Sequence, residues 1–528
     1  MSAVQELLLA PSLTPERAEA LLRPFGFRDP LRADRELQSV AEDPEARRIL
    51  ASLLDDLLLS AADSADPDAA LSRFERFVRA SGSALRVFSH LRSDPRMVEV
   101  LLRTFGASPF LAQILIRHPG WLFWLSEPGV LARPRGADDV WSEVRAALEP
   151  LHSEPLRLDA LRVAKRREVL HVGVRDLLRL ASVGETLMAL SGVAEALIEA
   201  ALLVAETGLR ESFGLPPPFA GARRPGFVVL GMGKLGGREL NFSSDVDLVY
   251  VYDSDRGTVA PGRAEPSRGQ YHQALGRRLT VALGEVTGEG YVYRVDLRLR
   301  PEGRAGSVAL PLSAFASYYR TRGATWERLA LLRAWPVAGD RALGARCLEK
   351  TRGFVFDRPF GEKALAEVRR LKRQIDHKTA ARAEQSRHVK LGIGGIREVE
   401  LLTQVLQARF GGKRRALRQR GTLVALDALR DEDLMDPADH RELTRAYLFL
   451  RDVENKLQMV SDAQVHVLPE DPEEVRRCAL RLGYRDQHGV AAGEALEGDY
   501  RRHTEAVHRI YERVLGTVAE APEPKRRS

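Results

Sequence analysis

The chain has 528 residues, 44% hydrophobic, 29% charged and only 6% aromatic, which is length for about three domains with sizeable, Leu/Ala/Val-rich cores that favour helix. Two cysteines, Cys347 and Cys478, exclude a disulfide scaffold or a Cys-rich metal site; no uninterrupted apolar run reaches the roughly 20 residues of a membrane span. A net charge of +7 suits a polyanion, a nucleotide or an acidic partner, and equally a solvated mixed-charge surface, because Arg alternates with Asp and Glu almost everywhere.

The first residues lack the basic and apolar regions of a secretory signal, so a cytoplasmic protein is expected. Up to about Phe213 the pattern is helical. Apolar residues recur at helical spacing, as in Leu50, Leu53, Leu54, Leu57 and Leu58, or Leu170, Val174, Leu177 and Leu178. The stretch Ser89 to Ser126 adds Trp121, Phe123 and Trp124, expected as aromatic core between helices. A Pro/Gly-rich break from Gly214 to Gly226 predicts a linker. Strand signals follow: short buried runs at Phe227–Leu230 and Val246–Tyr252, then a strict alternation from Tyr293 to Arg300. A polar loop (253–270) and a helix (271 to about 283) lie between the last two. From Phe360 to about Val518 the pattern is helical again, with no internal repeat. The expected architecture is mainly α, with a central α/β domain at 226–345 between helical domains at 1–225 and 346–520. The tail at 521–528 is expected to be disordered.

The chemistry-bearing stretch is Gly231-Met-Gly-Lys-Leu-Gly-Gly-Arg-Glu-Leu-Asn-Phe-Ser-Ser-Asp-Val-Asp-Leu-Val-Tyr250. Glycines directly after a strand let backbone N–H groups approach an anion, and Lys234 adds a point charge. The stretch is not a Walker A loop, since no Gly-Lys pair is followed by Ser or Thr. Nor is it a convincing dinucleotide fingerprint, because Gly231, Gly233 and Gly236 run into a polar turn. Asp245 and Asp247 flank Val246 at the start of a strand, so period-2 geometry aims both carboxylates to one face. That arrangement is costly unless a cation sits between them, and Mg²⁺ takes such carboxylate-poor, phosphate-sharing sites. Asx caps at a strand mouth are the plainer alternative. On the third run Arg294, Asp296, Arg298 and Arg300 share one face, with Val295, Leu297 and Leu299 on the other. An ordinary solvated strand has this pattern too; beside Asp245 and Asp247 it reads as a phosphate-transfer floor with a core behind it.

These residues carry a resemblance. Gly-Met-Gly-Lys-Leu-Gly-Gly-x-Glu-Leu-Asn-x-Ser-Ser-Asp-x-Asp-Leu, followed by Tyr-Arg-Val-Asp-x-Arg-Leu-Arg-Pro, resembles the glutamine synthetase adenylyltransferase / adenylyl-removing family. That family belongs to the DNA polymerase β-like nucleotidyltransferases. Trp326-Glu327 to Arg333, Lys390-Leu-Gly-Ile-Gly-Gly-Ile-Arg-Glu-Val-Glu400 and Leu450-Arg-Asp-Val-Glu-Asn-Lys-Leu-Gln458 extend it, from about Ser89 to Val518. It implies a polymerase β-like central domain and AMP transfer to or from a tyrosine of glutamine synthetase. It also implies Asp245, Asp247 and Asp296 as Mg²⁺ ligands, with Asp296 helping to activate the attacking oxygen. Gly233, Lys234, Gly236, Gly237 and Ser243 or Ser244 would hold phosphates, and Arg298 and Arg300 would neutralise charge. ATP, ADP or phosphate are the implied small substrates, and a PII-type signal protein is a candidate partner; nucleic acid and membrane are not expected. Family members typically carry two such halves in tandem, one attaching and one removing AMP, whereas the signature occurs here once. Glu239-Leu240-Asn241-Phe242-Ser243-Ser244 is nearer the removing half, so phosphorolysis with release of ADP is expected. The alternatives are ATP-dependent attachment releasing pyrophosphate, and a non-catalytic regulator that binds nucleotide or glutamine synthetase.

Three further groups stand outside the glycine and carboxylate motif. Arg397, Glu400, Gln404 and Gln407 form one polar stripe on a helix, suited equally to a domain-facing hydrogen-bond network and to a nucleotide cleft. His377 and His388 lack partners at ligand spacing and are expected as surface or core residues. Cys347 and Cys478 are expected as packing residues.

Overall fold

The computed structural model describes residues 2–212, 226–256, 267–380, 385–461 and 463–520. The expected linker from Gly214 to Gly226, most of the loop after Asp253, the tail and the side chain of His377 therefore fall wholly or mainly outside the described residues. The chain is mainly helical with one small mixed sheet, as its patterning predicts. It divides into two compact units, each assembled from separated stretches: Met1–Pro134, Arg166–Thr186 and Asp452–Asp499 in the first, the remainder in the second.

The first unit is helical, and its helix starts share one local device. Thr14, Asp29, Asp43, Asp66, Ser108 and Asp471 each accept a backbone N–H from the following turn, and each is followed by proline at the first helical position. The side chain satisfies an orphan donor, and proline's fixed φ suits a position that needs no N–H partner. The predicted leucine stripe is core: Leu50, Leu54, Leu57 and Leu58 are fully buried. Trp121, Phe123 and Trp124 differ from expectation. Leu122 and Leu125 take the buried positions of that short helix, and the aromatics are only half-buried. Trp121 stacks on His118 with centroids 4.2 Å apart, and Phe123 meets His90 at 4.7 Å. Lys456 pairs inside this unit with Asp176 and, at 2.8 Å, with Asp452. Both free cysteines are buried, which raises their thiols to about 12 (Cys347) and about 11 (Cys478), so both pack and neither is a thiolate.

One described helix, Val183–Ser212, is long and apolar enough to cross a membrane by length and composition, and most of its apolar stretch is buried in the protein.

The sheet belongs to the second unit. Strands β1 (Phe227–Gly231) and β2 (Val246–Tyr252) pair antiparallel, and β5 (Trp335–Gly339) pairs antiparallel with the other edge of β1 through a bulge after Val229. Two short strands, β3 (Val295–Asp296) and β4 (Ala309–Pro311), follow each other along the outer edge of β2, both parallel to it. The helix Arg268–Gly284, opened by a Ser267/Gln270 capping box, buries Leu275, Leu279 and Leu283. Its Gly276 passes so close to the sheet that a Cβ there would lie 3.0 Å from the Tyr250 ring. Every residue of β1 is buried, and every residue of β2 except Asp247. A strand that is core throughout except for one carboxylate marks where the site begins.

The predicted strand from Tyr293 to Arg300 is a correction. Only Val295 and Asp296 pair, and the chain then turns. Val295, Leu297 and Leu299 are half-buried, so no core face lies behind an arginine floor. An alternating pattern specifies a strand only where a neighbour offers an edge to pair with.

His272 carries a stability prediction. Its ring stacks on Tyr252 at 4.6 Å, and its Nδ1 meets the Arg268 carbonyl at 2.8 Å. Burial lowers the imidazole from 6.5 to about 4. Between those values the unfolded chain holds a proton that the folded chain does not, so stability falls as pH drops through that window. His272→Phe keeps the stack and should flatten this part of the pH–stability curve. Melting series from near-neutral to acid pH in which both proteins decline in parallel would refute the assignment.

Candidate active site

The end of β1 feeds a one-turn helix, Gly233–Gly236, whose entry is fixed by the Met232 N–H donating to the Asp247 carbonyl at 2.9 Å. Gly233 has φ +52°, and a Cβ on it would lie 2.7 Å from Asp247 Oδ2. Glycine is thus required both for the turn and for the carboxylate beside it. At Gly236 a Cβ would lie 1.8 Å from the Arg333 carbonyl, and at Gly237 3.2 Å from that of Arg420. These two glycines permit close packing of the turn.

Asp247 and Asp296 are register partners across β2 and β3. Burial, then repulsion from Asp296 and Asp245, raises the Asp247 carboxyl to about 6, although the Lys390 ammonium opposes this. Burial also works against the Asp296 charge, but the Arg298 side chain (Nε to Oδ2, 2.7 Å) and backbone N–H (2.8 Å) outweigh it and hold its pKa low. Asp245 is bound by Arg294 Nε at 2.7 Å, and the same guanidinium donates to the Ser243 carbonyl at 2.7 Å and the Tyr291 hydroxyl at 2.6 Å.

A cavity of about 420 Å³ opens on this corner of the second unit. Gly233, Lys234, Asp247 and Arg298 form one polar wall, and Lys390, Arg397 and Glu400 another. Trp326, Leu329, Val368, Leu371 and Leu401 make the apolar lining. Several predicted residues are placed elsewhere. Arg300 turns back to brace its own loop, donating to the carbonyls of Leu297 (2.9 Å) and Gly306 (3.0 Å). Ser243 is buried against Arg294, and the Ser244 hydroxyl bonds the Asn241 side chain. Gly236, Gly237, Ser243, Ser244, Arg300, Asp245 and Asp296 do not line the cavity.

Beneath the turn lies a buried charge network absent from the sequence reading. Arg333 Nη1 sits 3.1 Å from Glu400 Oε1 and 3.2 Å from Glu239 Oε2, and the Thr422 hydroxyl donates to Glu239 at 2.9 Å. Arg451, fully buried, donates to the Glu239 carbonyl. Burial penalises the Glu400 charge, yet Arg333, Arg451, Lys234 and Lys390 together keep its carboxyl below the usual range. The predicted polar stripe is divided: Arg397, Glu400 and Gln404 line the cavity, while Gln407 donates to the carbonyls of Leu417 and Gln419, both at 2.7 Å. His388 braces a loop, its Nδ1 accepting from Leu391 N–H at 3.0 Å.

Among the described residues no group of three His, Cys, Asp or Glu side chains is gathered to hold a metal ion. The donor chemistry of the β2–β3 corner nevertheless suits a hard cation, since Asp247 carries the unfavourable electrostatics of two neighbouring carboxylates.

Residues 98–350, which span this sheet and its glycine turn, match the family model for glutamate-ammonia ligase adenylyltransferase. This stretch therefore carries a domain similar to that family. Residues 365–515, which supply Lys390, Arg397 and Glu400, match the model for GlnD PII-uridylyltransferase. Bifunctional glutamine synthetase adenylyltransferase/adenylyl-removing enzymes are similar across both regions. That of Thioalkalivibrio sulfidiphilus (strain HL-EbGR7) is 40% identical over 423 residues, covering 80% of this chain and 43% of the relative. That of Rhizobium meliloti (strain 1021) is 40% identical over 440 residues, covering 82% and 44%. That of Stenotrophomonas maltophilia (strain K279a) is 40% identical over 401 residues, covering 76% and 41%. The chain thus spans less than half the length of these relatives. Within residues 98–350, Trp326 and Arg333 lie in a stretch whose wording already resembled the family. Periodicity carried no signal for Arg333, because its side-chain partners are 67 or more residues away, as with Glu400.

Proposed function

We propose that this chain is a nucleotidyltransferase that removes AMP from an adenylylated tyrosine of glutamine synthetase, with inorganic phosphate as acceptor and ADP as product. The observation that carries the reading is the polar wall on which the glycine turn, Lys234 and Asp247 meet, with Asp296 in register beside Asp247. In this reaction an oxygen of hydrogenphosphate forms a bond to the phosphorus of the AMP–tyrosine diester. The bond from phosphorus to the tyrosine oxygen breaks, its electron pair stays with that oxygen, and the phosphate proton ends on it. Gly233 and Lys234 bind the AMP phosphoryl group, and Arg298 holds Asp296 oriented. Asp247 and Asp296 would hold Mg²⁺, which would neutralise charge on the phosphoryl oxygens.

Glutamine synthetase as substrate is supported by the printed names of the relatives. The match of residues 365–515 to a PII-uridylyltransferase family supports a PII-type signal protein as regulator. The direction rests on the likeness of Glu239 to Ser244 to the removing half, and a cytoplasmic location is part of the same proposal. The test uses two incubations: adenylylated glutamine synthetase with phosphate, and unmodified enzyme with ATP, each followed by intact mass and nucleotide analysis. ADP release in the first is expected. Pyrophosphate in the second with no ADP in the first would reverse the direction, and silence in both would remove the activity.

A further inference from the structure

The motif Lys390-Leu-Gly-Ile-Gly-Gly-Ile-Arg-Glu-Val-Glu400 has no part in the reaction as described so far, yet its residues supply one wall of the cavity. Its loop is closed by backbone bonds from Gly392 to His388 (2.8 Å), Gly395 to Gly392 (2.9 Å), Ile396 to Val389 (3.0 Å) and Arg397 to Lys390 (3.1 Å). Two glycines make this closure possible. Gly394 has φ +71° with the Thr504 carbonyl 1.9 Å from where a Cβ would stand, and at Gly395 the carbonyls of Val389, Gly392 and Lys390 lie within 3.0 Å of that point. Such a loop holds Lys390 in one place on the rim.

The other cations near the cavity are largely committed. Arg298 is bound to Asp296, Arg294 to Asp245, Arg333 to Glu239 and Glu400, and Lys372 to Glu398 at 2.8 Å. Among the described residues Lys390 and Arg397 stand outside these pairs. The Lys390 charge acts on Asp247 and Glu400, both of which line the same cavity. A nucleotide with two phosphoryl groups needs cationic contacts for each. Lys234 and the glycine turn serve the one being transferred.

We propose that Lys390, with Arg397 at the rim, forms the subsite for the second phosphoryl group, the one that is inorganic phosphate before the reaction and the β-phosphate of ADP after it. The subsite rests on the phosphorolytic reading of the cavity; under ATP-dependent attachment the same residues would take the β-phosphate of ATP. Lys390 is then a substrate-binding residue supplied by the region that matches a different family from the glycine turn.

Calorimetric titration of the full chain with ADP and with AMP, in Mg²⁺, separates this role from general electrostatics. Wild type should prefer ADP. Lys390→Ala should weaken ADP about tenfold or more while AMP changes little, so the preference is lost. Lys390→Arg should restore most of it, and Lys234→Ala should weaken both nucleotides. An unchanged melting temperature for Lys390→Ala confirms that the loop is intact. Equal weakening of ADP and AMP in Lys390→Ala, unaltered ADP affinity, or a wild type without preference for ADP would each overturn the subsite. If the preference behaves as expected but glutamine synthetase is not turned over in either direction, the protein-substrate reading fails and the subsite stands.

Discussion

Asp247→Asn is expected to abolish AMP transfer, by about a thousandfold or more, without loss of the fold. Asp247 is the one residue of β2 that is only half-buried, it touches the glycine turn through Gly233, and its carboxyl is raised by desolvation and by Asp296 and Asp245. An isosteric amide keeps the shape and removes one of three mutually repelling charges. The melting temperature in chelator should therefore equal or exceed that of wild type, because a desolvated like charge is lost and no core contact is. Transfer is measured by intact mass of glutamine synthetase, and folding by circular dichroism. Wild-type turnover would remove Asp247 from the reaction. An unfolded variant would show that its carboxylate is structural.

The second large effect concerns stability. Arg333→Met should destabilise the second unit by about 3–5 kcal/mol, the usual result of leaving buried partners of an ion pair unpaired. Here two carboxylates are stranded, Glu239 at 3.2 Å and Glu400 at 3.1 Å from the same nitrogen. Adding Glu400→Gln to Arg333→Met should recover part of the loss, since one stranded charge is removed. Activity should fall as well, because Glu239 follows the glycine turn directly and Gly236 packs on the Arg333 carbonyl. Chemical denaturation of both variants checks the prediction. A cost of under about 1 kcal/mol for Arg333→Met would mean that the network is solvated.

Local chemistry was legible in the sequence by itself. The leucine stripe, the two central strands, the glycine turn and the placement of Asp245 and Asp247 at a strand mouth all depend on residues within one or two turns of each other. Periodicity and glycine content report that scale directly, and the motif wording pointed to the family that residues 98–350 match. Tertiary structure decided the rest. It shortened the arginine strand to Val295–Asp296, because further along β2 the same edge pairs with β4. It turned Arg300 onto its own loop and closed Ser243 against Arg294, because a guanidinium takes the nearest acceptors: Arg300 the carbonyls of its loop, Arg294 the carbonyl and hydroxyl oxygens of Ser243. It also divided one polar helix stripe between the cavity (Glu400) and a buried brace (Gln407), and set Lys390 in the same cavity as Asp247. Such partners are far apart in the chain, and a residue type at a given spacing carries no information about a charge that only folding brings beside it.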